Sequence, residues 1–245
     1  MEKNPPAGRA GKTTKYFKYA IGEIALVVIG ILIALSINNW NENRKENSYL
    51  NLVYQQLQKD LKADTLNVSQ RIELYTSKNK RLTDIIDRNI PVSFYDTINE
   101  SNFANCDKCR SDIASADPFQ NLDKGYQLLK AMNTDHNNKV DSLSFKIDGF
   151  YKTYNEIFPD LNKMLLDLIN QEIDDYQQYD WFVEWSLFER RTYNKSFMTY
   201  IFESDEYRTK SARHLIYSKY YLNQLIDYNT SATEILVLLD EKLKA

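Results

Sequence analysis

Glycine and proline are scarce in this 245-residue chain, which holds six of the first and five of the second; an average domain of that length has roughly 17 and 12. From Trp40 onward only Gly125, Gly149, Pro91, Pro118 and Pro159 remain. Sandwiches and barrels need turn residues every ~8 to 12 positions, so both are excluded and long helices are expected. Histidine is scarcer still, with His136 and His214 alone. There is no HExxH, GxSxG or dinucleotide fingerprint, so the reading is of a protein that is not an enzyme, with no catalytic residue, cofactor or metal expected. Gly11-Lys12-Thr13 imitates the end of a phosphate-binding loop, but Pro6 stands where the first Gly belongs and no strand precedes it. Any acid–base work would fall to carboxylates such as Glu172, Asp174 and Asp175, whose charge run has the pattern of a solvated face.

The chain is rich in apolar and aromatic residues, 43% and 13%, with 18 Tyr. That is ample for a packed core and unlike a disordered polymer. Charge divides unevenly. Residues 1–18 carry Lys3, Arg9, Lys12, Lys15 and Lys18 against Glu2, leaving 26 cations and 33 anions for the remainder. The acidic bulk has no footprint for nucleic acid, and the basic tail suits anionic lipid.

Immediately after that tail, Ala20 to Ile37 reads AIGEIALVVIGILIALSI, with Glu23 its one charge. At 1.5 Å per residue these eighteen residues span about 27 Å, close to the ~30 Å thickness of bilayer hydrocarbon. Tyr16, Phe17 and Tyr19 precede the run and Trp40 follows it, as interfacial aromatics do. The reading is one transmembrane helix over residues 19–40. Five cations before the run against Arg44 and Lys45 behind it put the N-terminus in the cytoplasm by the positive-inside rule. A cleaved signal peptide is the competing reading, since Ala34-Leu35-Ser36 loosely fits a cleavage site; the length of the run and its Glu speak against it.

The segment Tyr19 to Glu42, YAIGEIALVVIGILIALSINNWNE, resembles the N-terminal signature of a Bacteroidota family of single-pass membrane proteins known only as a domain of unknown function. Its Gly-Glu-Ile opening, Gly-Ile-Leu-Ile-Ala-Leu centre and Ile-Asn-Asn-Trp-Asn-Glu exit match Gly22–Ile24, Gly30–Leu35 and Ile37–Glu42; Ser36 departs, a Gln being commoner there. The resemblance implies a Gram-negative inner membrane and a periplasmic domain. It implies no activity.

Glu23, Val27, Gly30 and Ala34 fall near one helical face. Gly30 and Ala34 form a small-xxx-small pair of the kind that lets two membrane helices approach. Glu23 either snorkels to cytosolic water and pairs with Lys15 or Lys18, or faces the interior of an oligomer as the lining of a pore or ion site.

Residues 41–245 read as a periplasmic antiparallel bundle of four to five helices. A first helix carries Leu50, Tyr54, Leu57, Leu61, Val68, Ile72, Tyr75, Leu82 and Ile85, interrupted at Asp64 and at Lys78-Asn79, and ends near Asn89. Residues 90–117 read as a surface excursion closing at Asp117-Pro118, an N-cap and first helical position, with Gly125 as a break. A helix marked by Val140, Leu143, Ile147, Phe150, Tyr151 and Tyr154 is expected to stop or kink at Pro159, and the next to run from Leu161 to about Thr192. The last repeats Leu215, Leu222, Asn229, Leu236 and Leu243 every seven residues, with Ser218, Leu225, Ala232 and Leu239 between; that regularity outweighs a capping-box match at Ser231 and Glu234. The closing ILVLLDEKLKA is too short and charged for a second span.

Cys106 and Cys109 form a lone CxxC. The readings are a local disulfide, an intermolecular disulfide or shared metal, and a redox site, the last without the βαβ setting it needs. Tyr179, Phe182, Trp181, Trp185 and Phe188 gather on one side of a helix, as core or as an aromatic groove. The expected role is a membrane-anchored periplasmic module that binds a partner or a second copy of itself, the alternatives being a subunit of an ion-coupled membrane complex built around Glu23 and a periplasmic ligand sensor. The bilayer and a membrane or periplasmic protein are the expected partners.

Overall fold

A computed structural model describes residues 10–135, 142–187 and 192–244. His136, Val140 and Phe188 lie outside the described residues, as do the side chains of residues 1–18. The described chain is all-helical, with no strand among the described residues. Seven α-helices follow in order: α1 (Ala10–Ile86), α2 (Val92–Tyr95), α3 (Lys124–Asp135), α4 (Ser142–Tyr176), α5 (Phe182–Ser186), α6 (Lys195–Glu203) and α7 (Asp205–Lys244). Between α2 and α3 lie three 3₁₀ turns, Phe103–Asn105, Asp107–Cys109 and Asp112–Ala114. The chain divides into two compact units, Met1–Leu52 and Val53–Ala245.

In the first unit α1 is unbroken across Asn38–Asn43. Its apolar side chains from Ile21 to Ile37 are all exposed. Among the described residues this is the one helix long and apolar enough to cross a membrane, and none of its most apolar window is buried by the chain itself.

In the second unit the core is set by seven-residue repeats. On α1 the inward positions are Tyr54, Leu57, Leu61, Asp64, Val68, Tyr75, Lys78 and Leu82, all buried. Asp64 and Lys78 therefore occupy the inward register itself, and Lys78-Asn79 is helix, not a turn. On α7 the buried positions run Tyr207, Ser211, His214, Ser218, Tyr221, Leu225, Tyr228, Ala232, Ile235 and Leu239, alternately four and three apart. The expected set of Ser218, Leu225, Ala232 and Leu239 is among them, but Leu215, Leu222, Asn229, Leu236 and Leu243 are only half-buried. The large inward residues stand one position earlier. Tyr221 and Tyr228 outcompete the leucines because their rings fill the core while their hydroxyls reach partners: Tyr228 donates to Asp64 Oδ2 (2.7 Å) and Tyr221 to Asn162 Oδ1 (2.8 Å). Ser231 sits in mid-helix.

Pro159 neither stops the chain nor separates two helices, since α4 runs through it. It lies on the exposed side, while Phe150, Tyr154, Phe158, Leu161 and Leu165 carry the buried stripe past it. Burying such side chains is worth roughly 1.5–3 kcal/mol each, which offsets the ~3 kcal/mol cost of an internal proline. α4 ends at Tyr176, well short of Thr192; a turn, α5 and the separate α6 follow. Asn194 caps α6 by accepting from Phe197 N–H.

Three expectations fail from Pro91 to Gly125. The excursion is not confined to the surface, since Ile98, Cys109, Ser111, Asp112, Ile113 and Ala114 are buried. Nor does Asp117 cap a helix at Pro118; its carboxylate pairs with Arg71 at 2.9 Å, and α3 starts only at Lys124. The backbone of the intervening stretch is held by side chains from α1, α4 and α7. Phe119 N–H donates to Tyr221 Oη (2.6 Å), its carbonyl accepts from Asn162 Nδ2 (2.7 Å), Leu122 N–H donates to Asp64, and Gly125 N–H donates to Asp60 Oδ2 (2.7 Å). Apart from the exposed Leu122, each residue in these bonds is buried or half-buried, so an unmade bond would be costly, and these four make irregular backbone tolerable in the core. Gly125 is not a break but a close-approach residue: a Cβ there would stand 2.6 Å from Leu57 N and 2.8 Å from its Cα.

Candidate functional site

Two arrangements in the second unit carry chemistry. One is a buried ionic cluster between α4 and α7. Glu172, at 0% exposure, is no member of a solvated face; only its neighbour Asp174 is exposed. Its register explains this, since it falls seven residues after Leu165 and four before Tyr176, both buried. Oε1 accepts from Arg213 Nη2 (2.8 Å) and from His214 Nε2 (3.1 Å), and Oε2 lies 3.0 Å from Lys210 Nζ. Lys210 also meets Asp175 (2.8 Å) and Glu206 (3.0 Å), and Glu206 accepts from the hydroxyls of Tyr179 and Tyr200.

Burial alone would raise the Glu172 carboxyl, but the bonds from His214 and Lys210 and the Lys210 charge prevail and hold it below the usual range. Burial pushes the His214 imidazole down despite that carboxylate. The pair is therefore a carboxylate and a neutral imidazole whose Nε2–H donates. Glu172 is fully buried, with Oε1 taking two hydrogen bonds and Oε2 an ion pair, so the cluster ties α4 to α7 beneath the surface. Among the described residues no group of three or more His, Cys, Asp or Glu is placed to hold a metal ion.

The other arrangement is a cleft of about 320 Å³ formed by the 3₁₀ turns, α5 and the start of α6. Cys106 and Cys109 are joined to each other by a disulfide and form part of its wall. Phe103, Trp185 and Phe197 supply its aromatic surface, Arg110 its cation and Glu184 its anion. Asn194 Nδ2 donates to Glu184 Oε2 (3.0 Å) while Asn194 Oδ1 caps α6, so one amide positions both. Ser111 Oγ is bonded to Tyr176 Oη (2.6 Å) at the back of the cleft.

The structure separates the aromatic residues singled out by sequence. Trp181, 1% exposed, belongs to the core, its ring stacked on Tyr179 (4.9 Å) and packed on Tyr176 and Phe197 (both 5.0 Å). Tyr179 is half-buried and bonded to Glu206, away from the cleft lining. Trp185 alone of the three faces the cleft. Glu23, Gly30 and Ala34 lie in the first unit and are exposed. Sequence reasoning missed Phe103, Arg110, Phe197 and the Glu172 cluster. The available signals were the Asn194 cap ahead of Phe197 and the register of Glu172.

The architecture defines a class: an all-helical chain with one long apolar N-terminal helix able to span a bilayer. Residues 23–117 match a family of unknown function, DUF6090. The match takes in most of α1 and the excursion up to Asp117, and α3 to α7 lie outside it. No curated protein and no solved structure matches the chain.

Proposed function

We propose that the chain is a single-pass protein of a bacterial inner membrane, N-terminus in the cytoplasm, spanning over residues 19–40 and presenting residues 41–245 in the periplasm as a helical-bundle domain. Its role is to bind a partner protein or a second copy of itself, without catalysis. The supporting observation is the first unit's face. Seventeen residues from Ile21 to Ile37 are exposed, all but Glu23 and Ser36 of them apolar or small, and in water such a continuous surface would be a large penalty, whereas lipid covers it.

Gly30 supports the assembly part of the reading. A Cβ there would meet nothing within 4 Å, so nothing in the chain's own packing calls for a glycine that costs about 1 kcal/mol in a helix. Gly125 shows what such a residue does where a neighbour exists. At Gly30 and Ala34 the neighbour is a second membrane helix.

The test is the mass of the detergent-solubilised complex together with protease access from the periplasmic side. A dimer or larger species that Gly30→Leu converts to monomer, with residues 41–245 cleaved by external protease, is the expected result. A freely soluble protein, or a body that external protease cannot reach, would overturn it.

A further inference from the structure

The cleft beside the disulfide has a lining whose chemistry names its occupant. Its volume of about 320 Å³ is at the small end of ligand pockets. Phe103 and Trp185 are only half-buried, leaving aromatic surface open on its walls. Nearly every polar group around it is committed: Ser111 to Tyr176, Glu184 to Asn194, and Asn194 to the first turn of α6.

Arg110 is different. Among the described residues it is the single cation of the lining, with 51% of its side chain exposed, and its ion pair is with Asp107, three residues earlier and 74% exposed, at 3.2 Å. Exposed pairs of this kind contribute little and are readily exchanged. A guanidinium beside aromatic walls suits a planar carboxylate, which it binds through two parallel N–H···O bonds. Glu184, bonded to Asn194, adds a negative charge to the lining, so a ligand with one carboxylate suits the cleft better than a dianion.

We infer that this cleft is a binding site for a small amphipathic carboxylate, a molecule with one aromatic or branched apolar group seated between Phe103 and Trp185 and one carboxylate on Arg110. The site is independent of the membrane reading, since every group in it belongs to the second unit.

The test uses the full chain in neutral detergent micelles, with N-acetyl-phenylalanine as the probe and its uncharged amide as control, followed by equilibrium dialysis at low salt. The acid binds saturably and the amide at least about tenfold more weakly, the factor expected when a charge-assisted bond is lost. Arg110→Gln brings the acid down to the level of the amide and leaves the amide unchanged. Phe103→Ser weakens both probes. Because Arg110 is half exposed, its replacement leaves the fold intact, which the thermal transition of the variant checks. Equal binding of acid and amide, acid binding undiminished in Arg110→Gln, or no saturable binding of either probe would each overturn the assignment.

Discussion

Asp64 gives the sharpest test of the physical picture. Its carboxylate, 1% exposed, accepts from Tyr228 Oη and from Leu122 N–H. Burial nonetheless dominates those bonds and pushes its pKa up from 3.8 to about 6, with Asp60 nearby adding in the same direction. Because the folded protein holds the proton more tightly than the unfolded chain, this group's contribution is greatest below the unfolded pKa and is lost as pH rises from about 4 through 6. At about 1.4 kcal/mol per pH unit the whole effect is about 3 kcal/mol, of which about 2 kcal/mol falls between pH 4 and 7.5. Asp64→Asn cannot ionise. Urea denaturation of the full chain and of this variant in neutral micelles, followed by tryptophan fluorescence, should show the parent losing about 2 kcal/mol relative to the variant across that interval. The absolute offset between them is not the readout, since Asn replaces a hydrogen-bond acceptor by a donor; the change in their difference with pH is. A difference that stays flat between pH 4 and 7.5, or rises in favour of the parent, would refute the reasoning.

Glu172→Gln should cost about 3 kcal/mol in the same denaturation assay at pH 7, because Lys210 and Arg213 would keep their charges near a neutral amide. Gly125→Ala should destabilise by roughly 1–3 kcal/mol despite the better helix propensity of Ala, since the methyl group meets the Leu57 backbone rather than a movable side-chain end; a thermal scan showing stabilisation would exclude the close approach. Replacing Cys106 and Cys109 together by Ser should cost about 2 kcal/mol or less, the loop they close being short. The same variant should weaken N-acetyl-phenylalanine in dialysis, as the disulfide is part of the cleft wall.

Much of the helical character was legible because it rests on scarcity and period. With two glycines and three prolines after Trp40, little could interrupt the repeats, and α7 is one helix despite the capping-box match at Ser231. The inward face was read one residue late, at Leu215 and Leu222 instead of His214 and Tyr221. Hydropathy ranks leucine above tyrosine, yet a buried tyrosine with a partner for its hydroxyl fills the larger space. The same bias turned Asp64, Lys78 and Glu172 into interruptions or solvated charges, though each stands at a core position. What singles them out is a partner from another helix or segment: Tyr228 for Asp64, the Ser115 carbonyl for Lys78, and Arg213 for Glu172. Such pairings over 164, 37 and 41 positions leave no local trace. The cleft was out of reach for a similar reason, since Phe103, Trp185 and Phe197 meet only after the turns between them are made.

The polar residues inside α1 and α7 also answer how two long rods with monotonous seven-residue patterns know where to stop sliding. Along α1 and just past its end the partners on α7 descend in step: Gln58 with Asp240, Asp64 with Tyr228, Tyr75 with Tyr221, Arg88 with Asp205. Shifted by seven residues, greasy side chains would still greet greasy side chains, but Asp64 would confront Ile235 or Tyr221, the first mute and the second already spoken for by Asn162 and Phe119. The buried carboxylate works as a notch that admits a single tooth, so graft experiments that exchange α7 with another helix of equal greasiness should yield sliding, mispaired forms unless a hydroxyl arrives at position 228.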